Sequence, residues 1–162
     1  MPSRLVVGEG SSLLALVEAS SGGHESVHVL TTDSRRAETL RTDGVSVTVA
    51  DYIDRDSIAG LSTTPDSAVV AGPNPETNVT RARHLRAQFP ELFLLCYLGH
   101  GASAAQRRTL DGVADRVLDP DAVLTERLSE VVSADGARAR QLQQVLRDID
   151  GHLAVVSHDN PD

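Results

Sequence analysis

Six apolar runs punctuate the chain: Leu5 to Val7, Val27 to Leu30, Val45 to Val49, Ala68 to Ala71, Leu92 to Leu98, and a shorter Val113 to Leu118. The segments between them are too long for hairpin loops, and several carry a helical repeat. Leu13, Leu14, Leu16 and Val17 fall on one helical face, and Val79, Ala82, Leu85 and Phe89 on another. Short continuous apolar runs alternating with such helices predict parallel βαβ units covered on both faces. Right-handed crossovers assemble them into an open sheet. The expected fold class is therefore α/β, a Rossmann-like doubly wound, mainly parallel six-stranded sheet with helices on both faces.

Starts and stops agree with this pattern. Ser34 is placed to cap a helix through Ala37 and Leu40, Asp43-Gly44 ends it, and Pro120-Asp121 opens another through Val123, Leu124 and Leu128. A last helix, about Ala137 to Ile149, sets Leu142, Val145, Leu146 and Ile149 on one side; Asp150-Gly151 and a further apolar run, Leu153 to Val156, follow as an extra strand. The expected organisation is one α/β domain over 1–134, a linker helix over 135–151, and the truncated start of a following domain over 152–162.

Composition narrows the function classes. With 162 residues, 40% of them hydrophobic, the chain is long enough to bury the core of one ordinary domain. It has no apolar run long enough for a membrane span and no secretory signal, so a soluble, cytoplasmic protein is expected. The single cysteine, Cys96, lies within LFLLCYL and reads as a small core residue. All 15 basic residues are arginine, against 23 acidic residues and a formal net charge of -8, which repels nucleic acid. A lysine-free, Asp-rich surface resembles that of proteins from extreme halophiles; a GC-rich genome favouring arginine codons gives the same bias.

The first β-to-α bend, in LVVGEGSSLLAL, bears on chemistry. A dinucleotide fingerprint reads G-x-G-x-x-G; Gly8 and Gly10 supply the first two glycines, and Leu13 stands at the third. In the nucleotide reading Gly8 allows the tight turn and Gly10 lets a pyrophosphate approach the backbone. The amides from Gly10 to Leu13 then face the anion, with Ser11 and Ser12 adding hydroxyls, and Glu9 lies between the glycines. The same spacing serves a plain β-to-α turn, and the loop alone leaves both open. The second strand ends in Leu30-Thr31-Thr32-Asp33, where a ribose-binding acid would stand at position 31. Thr31 is a weaker acceptor than a carboxylate, and Asp33 is the first acid. Arg35 and Arg36, which follow, read as a solvated helix face; a clamp on a 2′-phosphate is the other reading.

In order along the chain, VVGEGSSL, VHVLTTDSRRAETL, GVSVTVADYIDRDSI, DSAVVAGPNPETNV and GVADRVLDPDAV resemble the nucleotide-binding N-terminal domain of TrkA-type regulators of potassium conductance, the TrkA-N or RCK family. The resemblance covers about Arg4 to Val132. Ala50-Asp51-Tyr52-Ile53-Asp54 stands where the family carries Gly-Asp-Ala-Thr-Asp after the third strand, and Gly72-Pro73-Asn74 with Asn78 matches its polar turn and Asn after the fourth. The resemblance implies that Gly8, Gly10, Asp51, Gly72 and Asn78 line an adenine nucleotide site, with Tyr52 beside Asp51. Leu13, Thr31 and Tyr97 depart from the family pattern. NAD(H) is the expected cofactor, with NADP or another adenine nucleotide as the alternative, and a homodimer is the expected assembly.

Catalytic signatures are missing from the sequence: there is no G-x-S-x-G elbow, no Walker lysine and no H-E-x-x-H, and His24, His28, His84 and His100 have no partner at metal-ligand spacing. A binding domain rather than an enzyme is expected. The tail HLAVVSHDNPD resembles the first motif of the DHH phosphoesterases. That resemblance implies His158 and Asp162 as an incomplete manganese site, complete only in a longer chain. The expected role is thus a nucleotide sensor regulating an attached DHH-type, exopolyphosphatase-like phosphoesterase. The alternatives are a regulatory part of a potassium transporter and an interaction module with a decayed pocket.

Overall fold

A computed structural model describes residues 3–21 and 26–156. Six strands, β1 (Ser3–Gly8), β2 (Ser26–Thr31), β3 (Ser46–Val49), β4 (Ser67–Ala71), β5 (Phe93–Tyr97) and β6 (Arg116–Leu118), form one sheet in the order β3-β2-β1-β4-β5-β6. Every pairing is parallel. The expected doubly wound α/β sheet is therefore present, each strand falling on one of the apolar runs. The chain crosses to opposite sides after β1 and β4, which makes the β1/β4 seam the switch point of the sheet.

Six helices connect and follow the strands: α1 (Ser11–Ser21), α2 (Ser34–Thr42), α3 (Arg55–Ala59), α4 (Pro75–Gln88), α5 (Ala104–Asp111) and α6 (Pro120–Val156). Successive side chains of β1 go to opposite faces, as a strand requires. Leu5 and Val7 pack with Val70, Leu85, Leu94 and Leu110, whereas Val6 packs with Leu13, Val17, Val29 and Leu40. Cys96 is buried in the larger cluster as expected, and burial pushes its thiol up to about 12.

Two expectations are corrected. Asp33, not Ser34, caps α2, accepting from the Arg36 N–H at 3.1 Å; its carboxylate and extended backbone suit the cap, and Ser34 is already helical. The short α3 and α5 carry too few residues for a hydrophobic repeat, yet both have capping boxes, Asp54 with Ser57 and Ser103 with Gln106. Finally, the helices expected through Leu128 and from Ala137 are one helix, α6, and the strand expected over Leu153–Val156 is its end. No proline interrupts it, and Gly136 and Gly151 each cost only about 1 kcal/mol relative to alanine. His24, His158 and Asp162 lie outside the described residues, as do the side chains of Leu142, Val145, Leu146 and Ile149.

The chain divides into two compact units, Met1–Asp121 and Ala122–Asp162. In the second, Val123, Leu124, Leu128, Val131 and Val132 of α6 are exposed. Among the described residues no helix is long and apolar enough to cross a membrane.

One polar clamp holds the later strands of the first unit. Arg86 of α4 donates to the carbonyls of Val113 at 3.0 Å and Leu92 at 2.7 Å, and to Asp115 Oδ2 at 2.7 Å. The same Asp115 oxygen accepts from the Leu94 N–H at 2.7 Å. The Leu94 amide, then the Arg86 guanidinium, hold the Asp115 carboxyl below its ordinary value. Its contribution is therefore complete above the unfolded value of about 3.9 and is lost as pH falls through the lower folded value. Unfolding midpoints measured from about pH 6 to about pH 3 should fall further for the wild type than for Asp115→Asn. Parallel falls would refute this role.

Candidate nucleotide site

The β1/β4 seam opens at the C-terminal ends of the strands, where doubly wound sheets bind ligands. Gly8 closes β1 opposite Ala71, and a Cβ on it would lie 1.7 Å from the Ala71 carbonyl oxygen. Only glycine lets these two strands meet here. Beyond it, the Glu9 N–H still donates to Ala71 O at 3.1 Å, so the ladder continues one residue into the bend.

Gly10 then turns at φ +85, a left-handed conformation that side chains rarely adopt, and α1 begins at Ser11. Among the described residues no side chain caps the first turn of α1, whereas Asp33 caps α2 and Asn74 caps α4. Ser11 is exposed and Ser12 half-buried beside those amides. The arrangement matches an anion-binding helix N-terminus at a switch point. Leu13, at the third glycine position, is fully buried against Val6, Val17, Val29 and Leu40, so α1 is anchored by a side chain rather than by close backbone approach.

Thr31 is buried, and its hydroxyl accepts from the Asp33 N–H at 3.1 Å. It shapes the bend after β2. Asp33 pairs with Arg36 at 3.0 Å as well as capping α2, which commits both groups to the helix start. A groove of about 570 Å³ opens alongside, lined by Thr32, Asp51, Tyr52, Glu76, Arg81 and His84 among others. Tyr52 is exposed on its rim. That volume is within the range of small-molecule sites. A groove of similar size near Phe89 and Pro90 has no glycine bend or open helix terminus among its lining residues.

On the β4 side, Gly72 is buried and Asn78 fully so. Asn78 Nδ2 donates to Gly72 O at 2.8 Å and to Tyr97 O at 2.9 Å, tying the ends of β4 and β5 together. The sequence thus placed Asn78 at the site, but the structure shows its amide engaged in holding the floor. Further along, Asp121 accepts from His100 Nδ1 at 2.7 Å and from the Gly101 N–H at 2.8 Å; these two bonds, His100 first, lower its carboxyl.

No protein-family model matches the chain, and no curated protein matches it. Solved structures do. The NAD(P)-binding domain of an exopolyphosphatase-related protein from Archaeoglobus fulgidus superposes with a TM-score of 0.67 at 15% identity, over 83% of this chain and 99% of that one. The TrkA-N domain of the inner membrane protein ybaL from Escherichia coli gives 0.69 at 18% identity, over 80% and 95%. The GsuK RCK domain gives 0.56 at 17% identity, over 72% of this chain and 25% of that one. Two of these three are a TrkA-N domain and an RCK domain. At these identities the likeness shows the fold, a six-stranded Rossmann-like sheet.

On this Rossmann-like framework most of the expected residues fall into two groups. Gly8, Glu9, Gly10, Ser11, Ser12 and Gly72 gather at the seam; Thr32, Asp51 and Tyr52 border the groove. Arg81 and His84 were missed. Both lie on α4 within a charged run, TRARHLR, yet Arg81 is only 5% exposed. The available signal was spacing: position 81 follows Asn78 by one helical turn, on the same face. Among the described residues no group of three or more His, Cys, Asp or Glu side chains is placed to hold a metal ion.

Proposed function

We propose that the chain is a nucleotide-binding regulatory domain that takes an adenine dinucleotide, NAD(H) first, at the β1/β4 seam. The observation that carries this reading is the Gly8-Glu9-Gly10 bend, which leads without a side-chain cap into α1 at the switch point. The pyrophosphate would lie on the amides from Gly10 onward, with Ser11 and Ser12 beside it, and the adenosine would enter the groove bordered by Thr32, Asp51 and Tyr52. Thr31, Asp33, Gly72 and Asn78 would shape the walls. NADP fits less well, because Arg36 is already paired with Asp33. The solved domain from the exopolyphosphatase-related protein, described as NAD(P)-binding, supports a dinucleotide ligand.

The regulated output in this reading is a DHH-type, manganese-dependent phosphoesterase, for which the tail sequence and that same neighbour speak. A potassium transport system is the second reading, favoured by the likeness to an RCK domain. In either case the nucleotide acts only through different affinities for two arrangements of the protein.

Thermal unfolding with NAD, NADH, NADPH, ATP, ADP and AMP tests the ligand. A dinucleotide at about one hundred times its Kd should add about 2.7 kcal/mol of stability. No rise with any of the six would overturn the reading. Manganese-dependent phosphate release by the natural full-length protein, and its change with NADH, tests the output.

A further inference from the structure

Three polar side chains beside Gly72 are short of partners. Arg81 Nη1 lies 2.6 Å from Glu9 Oε2, close enough for an ion pair but off the line of a hydrogen bond. Arg81 Nε and Nη1, Glu9 Oε2 and Asn78 Oδ1 are all buried without a hydrogen bond. They converge on one spot: a Cβ on Gly72 would meet Asn78 Oδ1 at 2.8 Å, and Arg81 Nη1 and Glu9 Oε1 each at 3.2 Å.

A buried guanidinium with unmade hydrogen bonds is costly, and a single carboxylate in imperfect alignment offsets only part of that cost. The two partners also differ in freedom. Arg81 projects from the middle of α4, flanked by the buried Val79, Ala82 and Leu85, and its side chain is 6% exposed. Glu9 sits on the bend, with its side chain 24% exposed. Rotation of one side chain takes Glu9 into water, whereas Arg81 stays.

The group best suited to take the place of the carboxylate is another oxyanion with more oxygens to offer. A phosphoryl group satisfies the planar fork of a guanidinium at two points. Glu9 lies between the two glycines that would hold a pyrophosphate, so the departing carboxylate and the arriving anion share one bend. We propose that Glu9 and Arg81 form a latch displaced by anions. In the empty site Glu9 neutralises Arg81 and fills the space at Gly72; an entering diphosphate takes Arg81 as its counter-ion, and Glu9 turns out into solvent. Arg81 is then a binding residue and Glu9 a competitor of the ligand. This rests on the dinucleotide reading above. It also explains how a chain of net charge -8 admits an anion, since the positive charge is kept inside the crevice.

The latch makes affinity depend on the fraction of molecules in which Glu9 has left. Calorimetric titration of NADH and of inorganic pyrophosphate into wild type, Glu9→Gln, Arg81→Met and the double variant tests it. Glu9→Gln should bind both probes about tenfold more tightly, and the gain should vanish in the double variant. Unfolding midpoints and amide spectra establish that each variant is folded; if Arg81→Met is not, Arg81→Lys, which keeps the charge but loses the fork, should keep only part of the gain. If wild type binds NADH and Glu9→Gln binds it equally or less well, the latch is overturned and the dinucleotide reading stands. If Glu9→Gln gains affinity for pyrophosphate while no protein binds a dinucleotide, the latch stands and the dinucleotide reading falls. Binding of neither probe by any variant overturns both.

Discussion

A Gly8→Ala protein is expected to lose its fold under conditions where Gly10→Ala keeps it. The two glycines stand two residues apart in one bend, yet they are needed for different reasons. At Gly8 the added carbon would lie 1.7 Å from the carbonyl oxygen and 2.4 Å from the carbonyl carbon of Ala71. β1 and β4 would have to separate at the centre of the sheet, where Val6, Val7 and Val70 are fully buried. A loss beyond about 4 kcal/mol is expected, which places it among the rare severe substitutions. At Gly10 the added carbon would meet only the Pro73 ring, at 3.6 Å. What remains is the left-handed backbone, about 1 to 2 kcal/mol for an alanine. A Gly10 variant therefore tests binding only after its backbone strain has been measured. Urea unfolding of both variants decides the matter, and equal midpoints would show that the β1/β4 contact is looser than described.

The second large effect is expected at Asn78. Replacement by alanine removes the donors to Gly72 O and Tyr97 O at once. A buried acceptor left unsatisfied costs about 1 to 3 kcal/mol and the part-buried Tyr97 carbonyl less, so a loss of roughly 2 to 4 kcal/mol is expected. Asn74→Ala is the proper control. Its side chain caps α4 by accepting from the Glu76 and Thr77 amides at 2.9 and 3.2 Å, and losing a cap costs about 1 kcal/mol. An Asn78→Ala protein no less stable than Asn74→Ala would mean that the β4 and β5 ends are held by something else. Nucleotide affinity should fall with Asn78→Ala even in the folded fraction, because the amide sets where Gly72 lies.

The sheet was legible because each strand is buried on at least one face and therefore reads as a compact apolar run. Its strand order and switch point were not legible, because the apolar runs do not say which strand lies beside which. The bend after β1 was legible because glycine is required there by backbone geometry, which leaves a mark in a single sequence. Side-chain pairings leave no such mark. Nothing in Glu9 or in Arg81 announces the other, since the positions are far apart in the chain and meet only when β1 and β4 are adjacent. Arg86 was hidden for the same reason: its partners, at Leu92, Val113 and Asp115, belong to segments that packing alone brings together. Thr31 ends β2 and Asn78 lies in the second turn of α4, but which way their polar atoms turn depends on neighbours that no local pattern specifies. The long α6 was cut too short in the sequence reading, because glycines were taken as stops where nothing else ended the helix.

The contact at Gly8 also bears on how this sequence can drift. The atoms that exclude a side chain there belong to the backbone of residue 71, and every amino acid brings the same carbonyl. No exchange at position 71 can therefore make room at position 8, and the glycine is fixed without a co-varying partner. The Glu9–Arg81 pair is held side chain to side chain, so it can change on both sides together or reverse its polarity. Among distant relatives, position 8 should thus stay constant for reasons of folding alone, whatever the bend binds. Correlated change at positions 9 and 81 would instead record selection on the crevice itself.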